Sequence, residues 1–166
     1  MKVIKLLCKY KLLALVFISS QISFGEELID KFINSYQDEY QEIALKIWEL
    51  SEVGYQEYES SNLLQKSLKD KGFKVQTLPY MPTGFIAEYG KGSPVIGILG
   101  EFDALPGVSQ SASPFKEKYK NNTAGHACGH HLFGAGSAWS AVAIKEWLSE
   151  NNRAGTVRFY GTPAEE

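Results

Sequence analysis

Residues 95–103 read Val-Ile-Gly-Ile-Leu-Gly-Glu-Phe-Asp. An almost wholly apolar run entered through the turn Lys91-Gly92-Ser93-Pro94 predicts a β-strand covered on both faces, as in the interior of an α/β sheet. Such a strand delivers Glu101 and Asp103 to its carboxyl end, where open α/β sheets bind their ligands. Working upstream, residues 73–78 alternate with the two-residue period of a half-buried strand, and 84–89 predicts a hairpin-like partner. Further back the period changes to three and four. Ile29, Phe32, Ile33, Tyr36, Tyr40, Ile43, Ala44, Ile47 and Trp48 predict an amphipathic helix over 26–51, with Glu26, Glu27 and Asp30 at the positive end of its dipole. Leu63, Leu64 and Leu68 predict a second helix over 58–71, closed by Gly72.

Downstream, 104–125 is rich in Ser, Pro, Gly, Asn and Lys without periodicity and predicts a long loop, a kind that is usually functional or mobile. A helix follows over 129–151, with small residues at 134–138 that allow close packing on a sheet. Residues 155–161 predict a last strand, with Thr162-Pro163-Ala164-Glu165-Glu166 at its carboxyl end. Helix, helix, hairpin-like pair, buried strand, helix, strand is the order of an α/β sandwich.

The 166 residues carry 17 Lys plus Arg against 19 Asp plus Glu, a net charge of -2, and are 44% hydrophobic. That excludes a disordered chain and a coiled coil, offers no basic face for nucleic acid, and suits one core. The charge is uneven, however. Lys2, Lys5, Lys9 and Lys11 precede the apolar run Leu-Leu-Ala-Leu-Val-Phe-Ile of 12–18, and Ser23-Phe24-Gly25 supplies small residues. This is the pattern of a signal peptide over 1–25, cleaved after Gly25, which predicts a secreted or periplasmic protein without stable membrane insertion. Cleavage would remove Cys8 and leave Cys128 as a lone thiol, unable to close an internal disulfide.

All three histidines surround that thiol in Gly125-His126-Ala127-Cys128-Gly129-His130-His131. Imidazole and thiolate are the ligands zinc and similar ions prefer, the glycines permit turns that bring Cys128 and His130 to one centre, and a following helix N-terminus favours a thiolate. Two other readings exist: a buried packing cysteine beside helix-capping histidines, and a thiol nucleophile with a histidine base. Residues two apart suit chelation better than in-line attack. Glu165-Glu166 at a strand end adds carboxylates that point in different directions, one able to ligate a metal and the other to reach a water.

Glu101-Phe-Asp103-Ala-Leu-Pro-Gly, Gly-His126-Ala-Cys128-Gly-His130 and Gly-Thr-Pro-Ala-Glu165-Glu166 together resemble three successive motifs of the aminoacylase/carboxypeptidase-type dinuclear metallohydrolases, in their amidohydrolase branch. The segment from Ile47 through Glu57 to Leu64 is similar as well. The resemblance implies a three-layer α/β sandwich with a mixed central sheet, and two divalent ions, Zn2+ or Mn2+. It implies hydrolysis of an amide bond in an N-acyl amino acid or a p-aminobenzoyl-glutamate-like substrate, and a full-length homodimer. It further implies Cys128, His130 and Glu166 as metal ligands, Glu165 as general base and acid, and Asp103 and His126 as groups behind the ligands. Other branches carry His-x-Asp at the end of the buried strand; Glu101 holds the histidine position here, so only Asp103 is carried over. Family members supply two further ligand histidines and a dimerisation or lid domain beyond the double glutamate. On that footing 26–166 is the N-terminal part of a catalytic domain, expected to bind metal weakly and to turn over nothing alone, and the rival expectation is a non-catalytic remnant or metal-binding module.

Overall fold

A computed structural model describes residues 30–166. The expected signal peptide, Cys8 and the first residues of the expected first helix lie outside them. By contacts the chain divides into two units, Met1–Gln37 and Asp38–Glu166. Described residues of the first unit are helical, and the second contains all that follows. The helix α1 runs through the described residues 30–50, and α2 spans Tyr58–Asp70. Then come β1 (Lys74–Leu78), β2 (Met81–Lys91), β3 (Val95–Glu101), the short β4 (Leu105–Pro106) and β5 (Ala124–Gly125), α3 (His130–Glu150) and β6 (Gly155–Thr162).

The sheet order is β1-β2-β6-β3, with β1–β2 and β2–β6 antiparallel and β3–β6 parallel. This is the mixed α/β sheet expected. Phe85, Ala87, Val157 and Phe159 are buried on the face that the helices cover, and the rings of Phe85, Phe159 and Phe102 form a cluster with centroids 5.6 and 6.3 Å from Phe85. On the opposite face Arg158 pairs with Glu88 across the β2–β6 ladder.

Two expectations need correcting. Strand β3 is not covered on both faces: Val95, Ile96 and Leu99 are 55%, 43% and 55% exposed. Among the described residues it is the end strand of the sheet, and an apolar run specifies burial without specifying which neighbours exist to provide it. The long loop is also less irregular than composition suggests. Strands β4 and β5 pair antiparallel, and Val53 bridges Ala104 in parallel, tying the start of the loop to the segment before α2. Strand β2 is longer than its apolar core because it has a partner on each side. Among the described residues no helix is long and apolar enough to cross a membrane.

The topology decides where the chemistry sits. Because β3 and β6 are parallel, with Glu101 opposite Thr162, both strands deliver their carboxyl ends to one edge of the sheet. Helix α3 starts at that same edge. Its close approach depends on Gly134, where an added Cβ would stand 2.5 Å from the carbonyl oxygen of Glu101. Gly134→Ala is therefore expected to lower unfolding stability by about 1–3 kcal/mol through overpacking, although helix propensity alone predicts a gain. Urea unfolding decides the sign, and a stabilised variant would show that α3 is not seated on β3 as described.

Candidate metal centre

His130 is the first residue of α3, after the N-cap Gly129, whose φ of 90° lies in the left-handed region that favours glycine. That turn separates Cys128 from the helix and directs His130 inward, so the thiol is exposed and the imidazole buried. The imidazole sits between carboxylates. Its Nδ1 is 2.9 Å from Asp103 Oδ1. A carboxylate accepts, so this contact draws the Nδ1 proton and leaves Nε2 as the atom facing the remaining groups. Those are Glu101 at 3.1 Å, Glu166 at 3.7 Å and Glu165 at 3.8 Å.

Asp103 is 1% exposed and uses both oxygens: the second accepts from the backbone N–H of Glu166 at 3.0 Å. One buried carboxylate thus orients an imidazole and anchors the chain that bears the double glutamate. Glu165 and Glu166 follow the end of β6 and the left-handed Ala164, where strand alternation no longer holds. They do not point apart as expected of a strand. Both carboxylates stay within 4 Å of His130 Nε2, and they differ instead in exposure, 55% for Glu165 against 20% for Glu166.

The donor atoms of Cys128, His130 and Glu166 lie within 4.8 Å of one another, and those of Glu101, His130 and Glu165 do the same. His130 is common to both groups. A sulfur, an imidazole nitrogen and carboxylate oxygens form a borderline donor set of the kind zinc accepts, and the carboxylates also suit manganese. The Cys128 thiol is pushed above its ordinary range by its hydrogen bond to Glu166, then by burial and by the charges of Glu166, Glu165 and Glu101. Burial raises the Glu101 carboxyl, with His130 opposing and Glu165, Asp103 and Glu166 adding to the rise. A divalent cation would reverse both tendencies.

His126 is not gathered into the cluster. Its Nε2 is 3.1 Å from the carbonyl of Ile47 on α1, and its ring lies 5.0 Å from that of His131. Burial, then the charge of His131, lowers its pKa to about 4. Burial, then His130, lowers that of His131. The Nδ1 atoms of both rings are buried without a hydrogen-bond partner among the described residues. The exposure of Cys128 removes the reading of a buried packing cysteine. Glu101, not carried over from sequence, proves to be the carboxylate nearest His130 Nε2; its position at the end of an apolar strand was the available signal.

The chain is similar to known proteins over most of its length. Residues 97–166 match the model of peptidase family M20/M25/M40. The chain is 42% identical over 142 residues to one of the subunits of p-aminobenzoyl-glutamate hydrolase from Escherichia coli, covering 83% of this chain and 29% of that protein. It is 36% identical over 118 residues to N-acetylcysteine deacetylase of Bacillus subtilis, covering 69% of this chain and 30% of that one. Among solved structures, a dinuclear metal binding peptidase of the M20 family from Bacillus subtilis superposes with a TM-score of 0.63 at 30% identity, over 80% of this chain and 36% of that one. The chain spans about a third of the length of the relatives it matches.

Proposed function

We infer, from a chain that belongs through residues 97–166 to peptidase family M20/M25/M40, that the cluster around His130 serves metal-dependent hydrolysis of an amide bond. The substrate is a small N-acyl amino acid or p-aminobenzoyl-glutamate-like molecule. One observation carries the reading: a thiol, an imidazole and a carboxylate converge at the carboxyl end of the sheet, with an exposed carboxylate beside them. Cys128, His130 and Glu166 would hold a divalent ion, zinc or manganese; a second ion of a dinuclear site would share this cluster and draw on donors beyond it. When bound, such an ion polarises the scissile carbonyl and lowers the pKa of a water. Asp103 fixes the imidazole so that Nε2 faces the donors. The exposed Glu165 carboxylate takes the proton of the attacking water and returns it to the nitrogen of the leaving amine.

The reading is tested by letting this chain replace the matching 142 residues of the Escherichia coli relative. The chimera is expected to hydrolyse p-aminobenzoyl-glutamate when given zinc or manganese. Glu165→Gln should lower kcat on the order of 10²–10⁴-fold while metal content stays unchanged. Full activity in that variant would remove Glu165 from its role. A chimera that binds metal and hydrolyses nothing would favour the rival reading, a metal-binding module in which Glu165 activates nothing.

A further inference from the structure

Glu57 contributes nothing to the donor groups, yet its carboxylate is fully buried. One oxygen accepts from the hydroxyl of Thr83 at 3.0 Å, and the other accepts from the backbone N–H of Ala164 at 2.9 Å, 107 residues away in sequence. Ala164 stands at φ 56°, in the left-handed region that residues with a Cβ seldom adopt, immediately before Glu165 and Glu166. Such a conformation persists only where its surroundings impose it. The N–H groups of residues 164 and 166 are therefore each held by a buried carboxylate, Glu57 and Asp103, with Glu165 between them.

The segment that bears Glu57 is itself fixed. The carbonyl of Glu52 accepts from Ala104 N–H at 2.8 Å, next to Asp103. The Glu52 side chain accepts from the N–H groups of Glu59 and Ser60 at 3.1 and 2.8 Å, holding the start of α2. Residues 52–57 thus form a bracket joining the start of α2 to both carboxylate-bearing strand ends.

We propose that Glu57 is a positioning residue whose buried carboxylate holds the left-handed Ala164 and so sets Glu165 and Glu166 against His130. The consequence for metal binding rests on the function inferred above; the geometric part does not. A glutamine can still accept from Ala164 N–H and donate to the Thr83 hydroxyl. Aspartate keeps the charge but is one methylene short, and alanine offers nothing. Reach, rather than charge, should govern the outcome.

The test takes Glu57→Gln, Glu57→Asp and Glu57→Ala of the whole chain, with amide hydrogen exchange followed by NMR and zinc binding by calorimetry. In the Asp and Ala variants the amides of Ala164 and Glu166 should exchange at least about tenfold faster, while that of Phe159 in the β6 ladder keeps its protection. Zinc affinity should fall about tenfold in both variants and stay within about threefold of the parent in Glu57→Gln. Unchanged exchange at Glu166 in Glu57→Asp or Glu57→Ala would overturn the proposal. So would a Gln variant as impaired as the Asp variant. Should Glu57→Ala fail to fold, the Gln and Asp pair still decides. Should the parent chain take up no zinc, the metal reading fails, while exchange at Glu166 still judges Glu57.

Discussion

Replacing His130 with alanine is expected to reduce zinc affinity by more than about 100-fold, beyond the loss typical of a partner that only supports a ligand. His130 is the one residue common to both donor groups. Its Nε2 is the centre on which Glu101, Glu165 and Glu166 converge, at 3.1, 3.8 and 3.7 Å. Removing the ring leaves three carboxylates with no imidazole among them and a buried Asp103 oxygen without its donor. An acceptor left unsatisfied in this way costs about 1–3 kcal/mol, so the variant should also unfold at lower urea concentration. Calorimetric titration with zinc checks the first effect and denaturation the second. Unchanged zinc affinity would remove His130 from the donor set.

Asp103→Ala is expected to have the second-largest effect, because one side chain does two jobs. Its oxygens hold the imidazole of His130 at 2.9 Å and the N–H of Glu166 at 3.0 Å, in a position that is 1% exposed. Losing both should destabilise the fold by about 3 kcal/mol and weaken zinc binding on the order of 10–100-fold, although Asp103 belongs to neither donor group. Asp103→Asn should fall between the parent and the alanine variant. It can accept from His130, but its amide nitrogen then meets the N–H of Glu166, donor against donor. A stable Asp103→Ala protein with parental zinc affinity would mean that His130 and Glu166 are held by other contacts.

Much of this site could be read from sequence because its parts carry their own local signals. Cys128 and His130 lie two apart beside glycines, and Asp103 and Glu165-Glu166 each follow an apolar strand. Periodicity locates α2, α3, β1 and β6 within a residue or two of their observed limits. What was not legible depends on contacts between distant residues. Nothing in residues 95–100 reveals that β3 is the end strand among the described residues, since an apolar run reads alike whether or not a neighbour covers it. The double role of Asp103 needs β3 and β6 to lie parallel and in register. Glu57 sits at an unremarkable helix start, and only the fold brings it under Ala164. His126 shows the opposite case, a motif residue that the fold turns away from the cluster and toward Ile47.

The central claim is that Cys128 and His130 jointly hold a divalent ion at the carboxyl end of the sheet. X-ray absorption at the zinc edge of the zinc-loaded chain tests it most directly. The account predicts one sulfur scatterer at about 2.3 Å together with nitrogen and oxygen scatterers at about 2.0–2.2 Å, including the outer-shell pattern of an imidazole. A zinc shell of light atoms alone, without sulfur, would contradict it.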